Sequence, residues 1–179
     1  MLSDGAGCVL LTDKPLGKMS LEIKWIESVS YANELDVCMS QGLFESQDGT
    51  RQTWKQISPQ DWQRHSIFSI KQDVKILSEH VAEKAVEHIY NSCKKHNFRF
   101  TDVDYFLPHL SSMFFWKKLE DKLNEKELSL DTEKWFTNLT RVGNIGSASI
   151  YVMLDELCCT RQLHNGELIY LIVPESGRF

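Results

Sequence analysis

Two polar residues close apolar stretches where each can donate a hydrogen bond. His109 ends the strand-like run Tyr105-Phe106-Leu107-Pro108-His109, and Asn144 opens Gly143-Asn144-Ile145-Gly146-Ser147-Ala148-Ser149, a glycine-bracketed turn that leads into a helix. A donor fixed at the end of a strand or turn is what stabilising a developing oxyanion requires. Taken singly, each has a plainer reading. A histidine at a strand end is ordinarily structural, and an asparagine beside glycine is ordinarily a turn or capping residue.

Other chemistries find less support. His80 and His88 stand two helical turns apart, and neither His-Glu-x-x-His nor Cys-x-x-Cys occurs, so no metal is expected. Cys158 and Cys159 are adjacent on a helix and point about 100° apart, which makes them poor joint ligands. Asp4-Gly5-Ala6-Gly7 lacks the full G-x-G-x-x-G pattern and reads as a tight turn, so no nucleotide cofactor follows. Trp54, Trp62, Trp116 and Trp135 read as packing residues rather than stacking platforms.

These residues sit in a chain of 179 residues, 42% apolar and 25% charged, enough for one globular domain with a buried core. A net charge of −5 argues against a nucleic-acid or anionic-membrane surface, since Lys94-Lys95 and Lys117-Lys118 are only local basic pairs. No apolar run approaches the roughly 20 residues of a membrane span, and no basic region precedes an apolar signal core. A cytoplasmic protein is the default expectation. Five cysteines, an odd count without regular spacing, favour reduced thiols, mostly as buried small hydrophobes.

The elements that must position the two donors read as α/β. Cys8 to Thr12 and Leu21 to Trp25 have strand patterns, with a hairpin across Asp13 to Ser20. Periodicity fades from Tyr31 to Arg64, and residues 41–66 read as an irregular covering segment. Ile70, Val74, Leu77, Val81, Ala85 and then His88 or Ile89 predict a helix of about seven turns, which Asn97 can stop. Val103 to Leu107 reads as a strand, and Ser111 or Ser112 can cap a helix through Phe115, Leu119 and Leu123. A short helix is expected around Trp135 and a longer one over Ser147 to Leu163. Leu168 to Val173 is an unbroken apolar run, expected as a strand buried on both faces.

Four landmarks in this order resemble the C-terminal half of a β-ketoacyl-acyl-carrier-protein synthase III, a member of the thiolase superfamily. They are Ser3-Asp4-Gly5-Ala6-Gly7, Asp104 to His109 with its Pro-His ending, Gly143-Asn144 to Ser149, and the terminal strand followed by Ser176-Gly177-Arg178-Phe179. The resemblance implies a thiolase-like half-fold, with a mixed sheet of about five strands and helices on both faces. It implies that His109 and Asn144 hold the enolate formed when a malonyl thioester loses carbon dioxide, and that a backbone amide at Gly177 contributes to a second oxyanion hole. The implied partners are an acyl carrier protein, acyl and malonyl thioesters, and the other half of a homodimeric enzyme. No metal or organic cofactor is implied.

Departures from the family pattern are equally specific. Members usually continue Pro-His with Gln-Ala-Asn and then a carrier-docking arginine, whereas here Leu110-Ser111-Ser112-Met113-Phe114 follows. Lys117 and Lys118 are the candidate carrier contacts in its place, although such lysines are more often a solvated face. Pro174-Glu175-Ser176-Gly177 replaces a glycine-rich run and puts a carboxylate near the expected mouth of the site. The family's nucleophilic cysteine belongs to the N-terminal half, and none of the five cysteines lies at a strand-to-helix turn, with Cys38 left open because its surroundings are irregular. The expectation is therefore a C-terminal half, an excerpt or a split subunit, silent by itself. The alternatives are a non-catalytic synthase-like subunit that shapes a partner's pocket, and an unrelated small-molecule binding module.

Overall fold

The computed structural model describes residues 2–17 and 19–175. The chain divides into two compact units, one built on residues 2–29 and 82–174, the other on residues 30–81 and 175. In chain order the elements are β1 (Met39–Ser40), β2 (Leu43–Glu45), β3 (Arg51–Thr53), β4 (Lys71–Gln72), α1 (Val74–His96), β5 (Tyr105–Pro108), α2 (Phe114–Glu125), α3 (Leu139–Val142), α4 (Ser149–Thr160) and β6 (Ile169–Ile172). Among the described residues no helix is long and apolar enough to cross a membrane.

Helix α1 starts where its first orphan amides find a partner. Oδ1 of Asp73 accepts from the backbone N–H groups of Lys75 and Ile76 at 2.9 and 3.0 Å, so the helix begins at Val74 rather than at the predicted Ile70. It ends as its sequence predicts, because Asn97 adopts φ +53, a conformation asparagine tolerates and a helix does not continue. Its buried stripe runs through Leu77, Ala82, Ala85, Val86, Ile89, Ser92 and Cys93; Ile70 and Val74 are exposed and His88 is only partly covered.

The first unit is organised around β5. Parallel pairing with β6 matches Tyr105 to Ile169 and Pro108 to Ile172, and the connection between them carries α2, α3 and α4, as a parallel pair requires. Asp104 pins the start of this ladder, its carboxylate accepting from the Leu168 N–H at 2.9 Å. Alternation along β5 then splits the core. Phe106 meets Phe100 and Trp135 edge-on, with Tyr170 of β6 close by, while Leu107 packs with Met153 and Leu157 of α4.

Several sequence expectations need correction. The described strands form three separate two-stranded pairs, β1 with β4, β2 with β3 and β5 with β6, in place of a sheet of about five. Among the described residues, the predicted strands over Cys8 to Thr12 and Leu21 to Trp25, with the hairpin between them, form no ladder. Val9, Leu10, Leu11, Leu21, Ile23 and Ile26 are all exposed, Leu10 and Ile26 by 80%. The first segment is an apolar run and the second alternates as a half-buried strand does, and among the described residues no layer covers them. β6 is likewise open on one side at Leu171, although it was expected to be buried on both faces.

Smaller differences have local causes. Ser111 and Ser112 give no side-chain cap to α2; the turn is entered through a backbone bond from Phe115 N–H to the Ser112 carbonyl. The predicted helix around Trp135 is one short 3-10 turn, Thr132–Lys134, capped by Asp131, with α3 following as a separate turn. α4 is shorter than Ser147 to Leu163, because Gly146–Ala148 forms a 3-10 turn and Arg161 is already extended. Residues 41–66 hold the β2–β3 hairpin, and Trp54, Trp62 and Phe68 pack edge to face beside it.

Candidate functional site

His109 extends the β5–β6 ladder by one residue, its backbone N–H donating to the Ile172 carbonyl at 2.9 Å. The two-residue period of the strand carries it to the face of Tyr105 and Leu107, the face that α4 covers. The residue is 8% exposed. Burial alone holds its imidazole below the ordinary histidine value, because the charged form loses more hydration than the neutral one. At neutral pH the ring is therefore uncharged, with one nitrogen a donor and the other an acceptor.

Asn144 stands at the turn between α3 and α4. α3 closes on Gly143, whose N–H donates to the Leu139 carbonyl at 2.8 Å. Gly143 has φ +81 and ψ −175, a region essentially restricted to glycine, and this swings the chain into Asn144. The Asn144 side chain then folds over its own turn, Oδ1 accepting from the Gly146 N–H at 3.0 Å. This is the turn role that asparagine beside glycine commonly plays. It occupies the acceptor end of the carboxamide, and among the described residues Nδ2, the donor end, has no hydrogen-bond partner. No hydrogen bond joins the His109 and Asn144 side chains among the described residues; one stands at the end of β5 and the other at the turn ahead of α4.

The first landmark turns out to be part of the same construction. Ser3 donates its backbone N–H to the Asn144 carbonyl at 2.7 Å, and Leu2 forms an isolated parallel bridge with Asn144. Gly5 lies against Ile145 and Gly7 against Tyr151, both so close that a β-carbon would collide. The run Ser3 to Gly7 is thus a backbone strap laid over the Asn144 turn and the first turn of α4, and its glycines permit the approach.

Sequence reasoning missed the support behind the turn. Glu156, in the second half of α4, accepts from Asn138 Nδ2 at 2.9 Å and from Arg141 Nη2. Asn138 is 3% exposed, so the sequon-like Asn138-Leu139-Thr140 has its amide committed inside the fold. The bonds from Asn138 and Arg141 hold the Glu156 carboxyl below the usual range. Nothing local in the sequence marks a glutamate 18 residues after Asn138 and 15 after Arg141 as their partner.

The remaining candidates lie elsewhere. Gly177 falls outside the described residues. Lys117 pairs with Glu120 and Asp121 of its own helix at 3.2 and 3.0 Å, and the Lys118 ammonium lies 4.6 Å from the centroid of the Phe114 ring. Burial raises the Glu175 carboxyl. All five cysteines are free, but only Cys38 and Cys93 are buried, fewer than expected. The Cys38 thiol donates to the Asp73 carbonyl at 3.3 Å, and burial with the nearby Asp73 charge raises it. Burial pushes Cys93 up to about 11 and raises Cys158 as well. None of these three is a thiolate at neutral pH.

A parallel strand pair flanked by helices, with a buried neutral histidine at the strand end and a glycine-set asparagine ahead of the packed helix, fits the thiolase-like half-fold that the resemblance implies. Residues 93–177 match the family described as 3-oxoacyl-[acyl-carrier-protein] synthase III C terminal. The chain is 30% identical over 89 residues to a β-ketoacyl-[acyl-carrier-protein] synthase III from Clostridioides difficile, covering 50% of this chain and 26% of that protein. With the enzyme of the same name from Clostridium tetani it is 22% identical over 177 residues, covering 99% of this chain and 50% of the relative. Among solved structures, 3-oxoacyl-(acyl carrier protein) synthase III from Pseudomonas aeruginosa superposes with a TM-score of 0.59 at 17% identity, over 84% of this chain and 39% of that one. The corresponding enzyme from Aquifex aeolicus gives 0.52 at 19% identity, over 75% and 39%. The chain is therefore synthase III-like, matching the C-terminal half of these proteins, and it spans at most about half the length of the curated relatives it matches.

Proposed function

We propose that this chain supplies the C-terminal catalytic half of a decarboxylative condensing acyltransferase in fatty acid or polyketide-type biosynthesis. In this reaction the bond between the malonyl α-carbon and its carboxylate breaks, carbon dioxide leaves, and the electron pair becomes an enolate on the thioester. The enolate carbon then attacks an acyl group carried on a cysteine and expels the thiolate. His109 and Asn144 Nδ2 donate to the enolate oxygen, which is more basic in the transition state than the ground-state carbonyl. A backbone amide at Gly177 serves the tetrahedral intermediate on the cysteine. The observation that supports this assignment best is a carboxamide at the glycine-set turn whose oxygen is already held by Gly146, with a buried neutral imidazole at the end of β5 as a second donor of the same chain.

The cysteine comes from an N-terminal half or partner subunit, and the chain is silent without it. Two observations support this. The thiols of Cys38, Cys93 and Cys158 are all raised, and the apolar rows from Val9 to Ile26 lack a covering layer among the described residues. Acyl and malonyl thioesters on an acyl carrier protein are the substrates, with Lys117 and Lys118 as carrier contacts, and the complete enzyme is a cytoplasmic homodimer.

The test is reconstitution. The chain, co-expressed with a cysteine-bearing N-terminal half, should release carbon dioxide from malonyl-carrier protein. His109→Ala and Asn144→Ala should each lower that rate by about 10²- to 10³-fold, the usual loss for one oxyanion donor. Near-normal decarboxylation in His109→Ala would overturn the assignment. A second reading, a non-catalytic synthase-like subunit, is favoured by the turn-forming bond of Asn144 Oδ1, a role that needs no catalysis. Reconstituted activity indifferent to both substitutions would select it.

A further inference from the structure

The α3 turn ahead of Asn144 is gripped from behind by Glu156. Oε2 of Glu156 accepts from Asn138 Nδ2 at 2.9 Å, and Oε1 accepts from Arg141 Nη2. These two donors bracket α3. Asn138 caps its start, with its carbonyl accepting from the N–H groups of Arg141 and Val142 at 2.9 and 3.0 Å, and Arg141 lies two residues before Gly143. A four-residue helix has too few internal bonds to hold itself, so an external anchor decides whether it persists.

We propose, resting on the assignment of Asn144 as an oxyanion donor, that Glu156 is a positioning residue that locks α3 as a rigid arm and so fixes where Asn144 Nδ2 points. Three constraints converge on that carboxamide. Ser3 N–H holds the Asn144 carbonyl at 2.7 Å, Gly146 N–H holds Oδ1 at 3.0 Å, and the Glu156 clamp fixes the turn from which Asn144 departs. The carboxylate is suited to the task because it can serve both arms at once, one oxygen for each. It is mostly covered, with 21% of its side chain exposed, and its Asn138 partner is buried, so water competes weakly for the inner bond. The lowered carboxyl of Glu156 agrees with a charge held by two donors.

The experiment uses the ¹⁵N-labelled full chain. Hydrogen exchange at Gly146 N–H and the side-chain amide signals of Asn144 report the turn directly, and the amides of Phe106 and Leu107 report the β5 core. Glu156→Ala should speed Gly146 exchange at least about tenfold and shift the Asn144 amide signals, with Phe106 and Leu107 unchanged. Glu156→Gln keeps one acceptor and should recover much of the protection. In the reconstituted enzyme Glu156→Ala should lower kcat for malonyl decarboxylation about tenfold or more at unchanged KM, since a misplaced donor weakens only the transition state. Should Glu156→Ala fail to fold, Arg141→Ala removes one arm at an exposed side chain and carries the same readouts. Unchanged Gly146 exchange and Asn144 signals would overturn the clamp whatever the enzyme does. Altered signals with unchanged kcat, where Asn144→Ala is inactive, would overturn its positioning role. An active Asn144→Ala variant would instead remove the oxyanion assignment, leaving the exchange data to decide the clamp.

Discussion

Gly5 lies against Ile145 with no room for a side chain: a β-carbon at position 5 would sit 2.7 Å from Cδ1 and 2.8 Å from Cβ of Ile145. The second of these atoms is close to the backbone and cannot swing away, so the strap or the turn must move. Gly5→Ala should therefore destabilise the fold by about 1–3 kcal/mol, the usual cost of overpacking. Urea denaturation measures it. An unchanged midpoint would mean that the strap is not seated on the Asn144 turn in solution.

Gly143 offers an independent check on the same turn. At φ +81 and ψ −175 a side chain is strained whatever the surrounding space, and a β-carbon there would also collide with the Ser3 side chain. Gly143→Ala should cost about 1–3 kcal/mol from backbone strain alone. Adding Ser3→Gly to Gly143→Ala should recover the steric part but not the strain. Full recovery in the double variant would show that the backbone was never strained.

His109 makes stability depend on pH in a definite direction. Burial lowers its folded pKa, so between that value and the ordinary 6.5 the unfolded chain binds a proton that the folded chain refuses. Stability therefore rises with pH across this window and levels off above 6.5. Burial also lowers His88, with Lys95 adding to the shift and Glu27 opposing it, which gives a slope of the same sign. His109→Leu should consequently reduce the slope rather than abolish it. Denaturation midpoints from pH 5 to 8 measure this, and an identical slope in the variant would place the imidazole in water.

What could be read from the sequence was whatever a single segment determines. Phe106-Leu107-Pro108 announces a buried strand ending at His109, Asn97 ends α1, and Gly143 beside Asn144 announces a turn. What could not be read depends on partners far away in the chain. The apolar run Val9 to Leu11 and the alternation from Leu21 to Trp25 show that a face wants covering, but not whether a cover is at hand. Glu156 looks like any helix-surface glutamate until Asn138 and Arg141 are brought to it. Gly5 and Gly7 read as a tight turn because their real constraint, Ile145 and Tyr151, lies about 140 residues further along the sequence and is brought to them only by folding.

The Glu27 carboxylate ties the N-terminal region to the end of α1. It accepts from Ser92 Oγ at 2.5 Å, pairs with Lys95 Nζ at 2.5 Å and lies 3.2 Å from His96 Nε2. Two residues earlier, Trp25 stacks on His96 with ring centroids 4.4 Å apart. The Lys95 and Ser92 bonds lower the carboxyl to about 2. A depressed carboxyl stabilises the fold fully above its unfolded value near 4.5, and this contribution fades as pH falls from there toward 2. Glu27→Gln should flatten that acid limb, and Trp25 fluorescence during acid titration should show its release. An unaltered acid limb would mean that the ties are not made in solution.

Ser149 presents the opposite case, a polar group that costs stability. The residue is 6% exposed at the start of α4, and its hydroxyl has no hydrogen-bond partner among the described residues. An unpaired buried hydroxyl forfeits its hydration without compensation, typically at about 1–3 kcal/mol. Alanine keeps the β-carbon that packs there and removes the orphan oxygen, and it is also the better helix former. Ser149→Ala should therefore raise the thermal midpoint, and because Ser149 follows the Asn144 turn by five residues, Gly146 exchange should stay unchanged. A lowered midpoint would show that the hydroxyl is satisfied in the folded protein, by water or by a covering partner. Repeating the measurement with the N-terminal half bound separates these two, since only a partner's bond would make the loss depend on that half.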